Sequence, residues 1–290
     1  MFLIGILGDS LVFSFKTSSI FSKNEITCSI ETDLKDVEFA YYIRINGGEK
    51  NVLYYPQPAT TIFPCKDVIV DYYEVTFFIR EPSGEIHSKI EERKTSWSLP
   101  EAALLAVSLL TPKDSLILEF GSGYGSHLIG KKNHLTSIEH DEKFVSRFSN
   151  VNYIHAPIKL LDIVNGDRKL QWYDPEIVKQ SIPENYEMVI LDGPPSQYGR
   201  EAILNYLSFF KKNAFWIIDD VLRPEEQNIA NHIAINFSLI QYRFWNFSIL
   251  APEPISSSDL LLIHQQSEED YRTASPTYLD NYFSNPLSIE

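Results

Sequence analysis

Carboxylates in this 290-residue chain stand where apolar runs break. A carboxylate ending a buried strand can meet a cation, accept a hydroxyl proton or ligate a hard metal. Glu119 follows Leu116-Ile117-Leu118 and precedes Gly121, Gly123 and Gly125 in the pattern Glu-x-Gly-x-Gly-x-Gly. Glycines after a strand let the backbone turn and approach a ligand closely, so the stretch reads as a nucleotide-type cofactor turn. Glu119 is placed there to meet a ligand ammonium group. Glu139 ends the next apolar run and is placed to accept both ribose hydroxyls, with His140 beside it and Asp141 as the cap of a following helix. Asp192 ends Val189-Ile190-Leu191 and enters a loop stiffened by Gly193, Pro194 and Pro195. Asp219 and Asp220 end Ile217-Ile218 and are followed by Arg223 and Glu226, while His155 and Ala156 close the run Tyr153-Ile154.

The elements that carry these residues alternate. A helix starts near Ser98 as cap, with Pro100 in its first turn. Then come strand 115–119, a helix from about 126, strand 134–139, helix 141–149 and strand 151–156. After a long segment, 158–184, which contains Trp172-Tyr173-Asp174 and could cover a substrate, follow strand 187–192, helix 199–211, strand 214–219 and helix 224–236. Two closing strands near 238–249 and 258–264 read as an antiparallel edge pair. This predicts a Rossmann-like, doubly wound, mostly parallel α/β sheet over residues 95–290, with antiparallel edge strands. Residues 1–94 show period-two alternation instead, as in 25–31, 37–45 and 73–80, broken by Asn46-Gly47-Gly48, Tyr55–Pro64 and Pro82-Ser83-Gly84. About seven short strands in that span predict a small immunoglobulin-like or fibronectin-like β-sandwich whose tyrosines fill its core.

The chain has 25 Lys+Arg against 39 Asp+Glu, a formal net charge of -14, with no dense basic patch. Nucleic acid and anionic membrane surfaces are therefore disfavoured as partners. Cys28 and Cys65 are far apart and have no ligand-like neighbours, which fits a reducing cytoplasm and neither a disulfide framework nor a structural zinc site. The opening MFLIGILG reads as a first strand rather than a secretory signal, and no run reaches the length of a membrane span. From Ser267 onward the chain is polar and acidic.

SLILEFGSGYG followed by LTSIEHDEKF resembles the first two motifs of class I S-adenosylmethionine-dependent methyltransferases. The resemblance covers about residues 96–265. It implies that Glu119, Gly121, Ser122, Gly123 and Gly125 hold the methionine part of S-adenosylmethionine, and that Glu139 and His140 hold the ribose. Ala156 then lines the adenine pocket, where the family's frequent acidic residue is missing, and Asp192 faces the transferring methyl group. WYD, DGPP and Asp-Asp-x-x-Arg-x-x-Glu resemble a branch that methylates hydroxyls of sugars and other small molecules. Transfer to a hydroxyl needs a base, for which Asp192, Asp220 and His155 are the candidates. Mg2+ held by Asp192, Asp219 and Asp220 is a rival role. It is disfavoured because the metal-dependent pattern has Asp-Asn where this chain has Asp219-Asp220. The expected function is thus O-methylation of a small-molecule or glycan acceptor. The alternatives are an NAD-dependent oxidoreductase and a non-catalytic scaffold with a degenerate methyltransferase fold.

Overall fold

The computed structural model describes residues 15–274 apart from 23, 47, 66–69, 71, 95–97 and 166–167. The expected strand over residues 1–8 and the chain beyond 274 lie outside the described residues. The chain divides into two compact units between Ser96 and Trp97.

In the first unit the described strands are β1 (Lys16–Ser22), β2 (Glu25–Glu31), β3 (Glu38–Ile45), β4 (Asn51–Gln57), β5 (Thr60–Pro64), β6 (Tyr72–Arg80) and β7 (Ile86–Lys94). They form antiparallel sheets in the orders β1-β2-β5 and β4-β3-β6-β7. Alternation along β6 turns Tyr73, Val75, Phe77 and Ile79 inward, where they join Ile26, Cys28 and Ile30 of β2 in one core. Burying each large side chain contributes about 1.5–3 kcal/mol. The stretch Tyr55–Pro64 was expected as a turn because of its prolines. It instead holds the end of β4 and all of β5, both edge strands, where a missing N–H costs the ladder nothing. Only Pro58 and Ala59 turn, and the buried Tyr41 hydroxyl donates to both their carbonyls at 2.8 Å.

The second unit contains α1 (Glu101–Leu110), β8 (Leu116–Phe120), α2 (Tyr124–Gly130), β9 (His134–Glu139), β10 (Val151–His155), β11 (Ile158–Asn165), β12 (Arg168–Tyr173) and α3 (Pro175–Ser181). β13 (Met188–Leu191), β14 (Phe215–Asp219), α4 (Pro224–Phe237), β15 (Ile240–Arg243), β16 (Phe247–Ala251) and α5 (Ser257–Thr273) complete it. The seven-stranded sheet has the order β10-β9-β8-β13-β14-β16-β15. Its first five strands are parallel, and β16 lies antiparallel between β14 and β15. From β8 the chain builds outward first through β9 and β10, then through β13 and β14, so the strand order reverses between β8 and β13. Ligands of such sheets bind at that switch point, outside the strands' carboxyl ends.

Several expected elements differ. Residues 258–264 are helical, so the edge pair is β15 and β16 alone. The run Leu260–Ile263 suggested a strand, but Ser256 caps α5 by accepting from Asp259 N at 3.1 Å, and only Ile263 of that run is fully buried. Asp270 of α5 accepts from Ala102 N at 2.8 Å, so α5 satisfies the start of α1 in place of Ser98, whose hydroxyl donates to Leu99 O. The helix expected over 141–149 is one 3-10 turn, Glu142–Phe144, capped by Asp141. It ends at extended Val145 and left-handed Ser146. Helix 199–211 is a 3-10 segment, Glu201–Phe209, kinked at Tyr206. The long segment 158–184 is no open lid. It forms the β11–β12 hairpin and α3, with Trp172 and Tyr173 fully buried, Trp172 stacked on Tyr206 at 5.0 Å, and Asp174 capping α3.

Candidate functional site

β8 and β13 are buried side by side, and each delivers an acid and a glycine at its carboxyl end: Glu119 with Gly121, and Asp192 with Gly193. Gly121 has φ +89, and a Cβ there would stand 3.0 Å from Gly193 N. A Cβ on Gly193 would stand 2.8 Å from Gly121 Cα and 2.3 Å from the Tyr173 hydroxyl. The two loops therefore touch through bare backbone, and only glycine permits it. Gly123 is extended and Gly125 has ordinary space, so those two glycines are not demanded by the turn itself.

The loop is fastened from both sides. Ser122 N donates to Glu139 Oε2 at 2.9 Å, and His140 N and Asp141 N donate to Glu139 Oε1 at 2.6 and 2.8 Å. Gly123 N donates to Ser126 Oγ at 3.1 Å, and Ser126 Oγ donates to Glu119 Oε2 at 2.7 Å. Glu139, expected to take both ribose hydroxyls, thus already uses three of a carboxylate's roughly four acceptor positions on its own chain. The His140 ring packs edge-on against Tyr173 and Tyr198.

Asp192, Asp219 and Asp220 bring carboxylate oxygens within 4.8 Å of one another, close enough for a divalent cation. A guanidinium already lies among them. Arg200, 3% exposed, donates from Nη2 to Asp192 O at 2.7 Å and Asp220 Oδ2 at 3.1 Å, with Asp192 Oδ1 at 3.5 Å. Its Nε and Nη1 bind Pro194 O and Asp219 O at 3.1 and 3.3 Å. Arg223 adds a second ion pair to Asp220 at 3.0 Å and one to buried Glu226 at 3.5 Å. Asp220 is therefore held by two guanidinium groups and does not cap α4, whose cap position is Arg223. Asp192 is the acid of the trio with an open face, its side chain 31% exposed.

Burial dominates the electrostatics. It pushes Asp192 up to about 6 against the Arg200 charge, aided by Asp220, while a hydrogen bond from Asp219 works downward. Burial and the neighbouring Asp192 and Asp220 raise Asp219 well above the usual carboxylate range, which makes it the protonated donor of the pair. Burial likewise raises Glu119 to about 8, despite hydrogen bonds from Ser126 and Ser137. The folded chain therefore keeps a proton on Glu119 that the unfolded chain loses above its ordinary value of 4.5, and stability should fall as pH rises from there to about 8. Glu119→Gln, isosteric and uncharged, is expected to flatten this slope. Its melting temperature should match the native protein at pH 5 and exceed it at pH 8, and parallel curves in a thermal-melt pH series would disprove the assignment.

His155 stands at the end of β10, its Nε2 3.1 Å from His140 O. Three strand positions separate β10 from β13, about 14 Å at ordinary spacing, so His155 is not gathered with Asp192. Ala156 is fully buried beside Glu139, to whose carbonyl its N–H donates at 2.8 Å. Arg200 and the Tyr173 hydroxyl were not singled out from the sequence. Arg200 carries no spacing signal, and Tyr173 was visible only as part of Trp172-Tyr173-Asp174.

No family model matches the chain, and no curated protein matches it. Among solved structures, a methyltransferase-like protein from Silicibacter pomeroyi is similar at 17% identity and TM-score 0.38, covering 59% of this chain and 96% of its own. A pectate lyase from Pectobacterium carotovorum is similar at 11% identity and TM-score 0.24, covering 48% of this chain and 43% of its own. Among the described residues no helix is long and apolar enough to cross a membrane.

Proposed function

We propose that this protein transfers a methyl group from S-adenosylmethionine to a hydroxyl of a small or glycan-like acceptor. The observation that carries the reading is the charge at the switch point. Glu119, Glu139, Asp192, Asp219 and Asp220 end four neighbouring strands; burial keeps the proton on Glu119 and Asp219, and the buried cation beside the other acids, Arg200, spends its donors on the chain itself. A dinucleotide pyrophosphate would add negative charge beside the remaining carboxylates, whereas an amino-acid ammonium and a sulfonium complement them. This weighs against the NAD-dependent alternative, and also against nucleic acid as acceptor.

The residues fit the cofactor by their donor set. Gly121 and Gly193 supply bare backbone, Glu119 faces the ammonium group, Glu139 has one acceptor position left for ribose, and Ala156 makes a small wall for adenine beyond it. Ser122, Gly123, Gly125 and His140 complete the turn and its rim. When bound, S-adenosylmethionine supplies an electrophilic methyl carbon. The chain's part is to orient the acceptor hydroxyl and take its proton. Asp192 has both the open face and a value near neutrality, while Asp220 is committed to its two arginines.

Saturating S-adenosylmethionine, at about a hundred times its Kd, should stabilise the protein by about 2.7 kcal/mol, a rise in melting temperature of roughly 5–10 °C. NAD should give none. A shift with NAD alone would restore the oxidoreductase alternative, and a shift with neither would leave a non-catalytic scaffold.

A further inference from the structure

The turn joining β6 to β7 carries two acids and an imidazole in the spacing Glu81-x3-Glu85-x-His87. Fully buried Ile79 pairs with His87 across the antiparallel register, so the alternation of the two strands puts Glu81, Glu85 and His87 on one side, just past the end of the core. The backbone fixes them there. Glu81 N donates to Glu85 O and Gly84 N to Glu81 O, both at 2.9 Å, and Gly84 takes φ +90, which favours glycine.

His87 Nε2 lies 2.7 Å from Glu81 Oε1 and 3.9 Å from Glu85 Oε1, and one ligand atom from each of the three residues falls within 4.8 Å of the others. Zinc takes imidazole and carboxylate ligands at about 2.0–2.2 Å, so two ligand atoms on one tetrahedral ion stand roughly 3.4 Å apart. The two histidine distances straddle that value. The Glu85 side chain is 68% exposed and has solvent to turn to, yet it brings a second carboxylate to the nitrogen that Glu81 already meets. Beside Glu81 opens a cavity of about 410 Å³ lined by Asp36, Glu38, Arg80, Glu81, Pro82 and Gly84, three carboxylates against one guanidinium. It supplies an aqueous approach of a sign that attracts cations, and room for the water that completes a zinc ion held by three side chains.

We propose that Glu81, Glu85 and His87 form a binding site for a divalent transition cation, Zn2+, with a water from the cavity as its fourth ligand. The imidazole selects against Mg2+ and Ca2+, which take oxygen ligands, and the two carboxylates balance the ion's charge. Bound there, the ion joins the ends of β6 and β7 across their turn. The site lies wholly within the first unit, so it stands independently of the methyl-transfer reading.

The test is calorimetric titration of ZnCl2 into the tag-free full chain, first stripped with a chelator. One ion should bind at the hairpin, and His87→Ala should weaken it by about a hundredfold. Glu85→Gln alters a side chain too exposed to affect folding and should weaken binding by about tenfold, so the result does not depend on the half-buried histidine alone. Asp192→Asn should bind zinc as the native chain does, because the acids at the switch point form a separate cluster. Co2+ in place of Zn2+ should give the visible absorption of a four-coordinate ion, and His87→Ala should abolish it. Absence of zinc binding by the native chain, unchanged affinity in either His87→Ala or Glu85→Gln, or a loss that follows Asp192→Asn instead would overturn the site.

Discussion

Replacing Arg200 with alanine is expected to destabilise the protein by about 3–5 kcal/mol at pH 8, because it leaves buried carboxylates without their countercharge. The guanidinium is nearly inaccessible and bridges three segments: the Asp192–Pro194 loop through two carbonyls, the end of β14 through Asp219 O, and Asp220 through its carboxylate. Removing it takes the donor from the three carbonyls and the countercharge from Asp192, and leaves Asp220 with Arg223 alone. For a chain of this size the melting temperature should drop by on the order of 10 °C. The pH dependence identifies the cause. Asp192 titrates near 6 with Arg200 present, and without that countercharge it would hold its proton to higher pH still. Acidification neutralises the stranded carboxylates, so the deficit should shrink between pH 8 and pH 5. Arg200→Lys keeps the charge but not the planar fork and should fall between the two. A deficit that is small at pH 8, or that grows on acidification, would mean that Arg200 is not the countercharge of this cluster.

What the sequence made legible follows from how local each signal is. β8, β9, β13 and β14 were readable because a strand buried on both faces is a short unbroken apolar run, and its end is marked by the first carboxylate or glycine. The same rule misled at Leu260–Ile263, where an apolar run belongs to a helix whose cap, Ser256 with Asp259, was the better guide. Prolines in β4 and β5 signalled a turn because sequence does not reveal which strands lie at a sheet edge. Among site residues, Glu119, Glu139 and Asp192 announce themselves by standing at strand ends. Arg200 and Tyr173 do not. Arg200 matters because the chain returns to place it under Asp192 and beside Asp220, and Tyr173 because a hairpin carries it onto Gly193. Both are consequences of long-range packing with no local period. Glu139 shows the limit from the other side: its position was evident, but its use by three backbone donors was not.

Asp192→Asn should lower methyl transfer by about a hundred- to ten-thousand-fold, the usual loss on removing a positioned general base. The asparagine keeps the shape and the backbone carbonyl that Arg200 binds at 2.7 Å, so the loop should stay in place. Affinity for S-adenosylhomocysteine should then stay within about threefold of native. A base that titrates near 6 also predicts an acidic limb in the native rate profile: transfer falls as pH drops below about 6, where Asp192 becomes protonated and can no longer take the acceptor's proton. The asparagine variant should lose that limb along with the rate. Asp220→Asn provides the contrast, since that carboxylate is occupied by Arg200 at 3.1 Å and Arg223 at 3.0 Å. Its loss should appear as lower stability with the limb retained. The measurement is release of S-adenosylhomocysteine from S-adenosylmethionine across pH 5–9, with a panel of monosaccharides and short glycans as acceptors. Undiminished release from Asp192→Asn would remove this residue from proton transfer, and loss of the limb in Asp220→Asn instead would move the base to the next strand. The geometry favours Asp192, because its carboxylate keeps an open face while that of Asp220 is bound by two guanidinium groups.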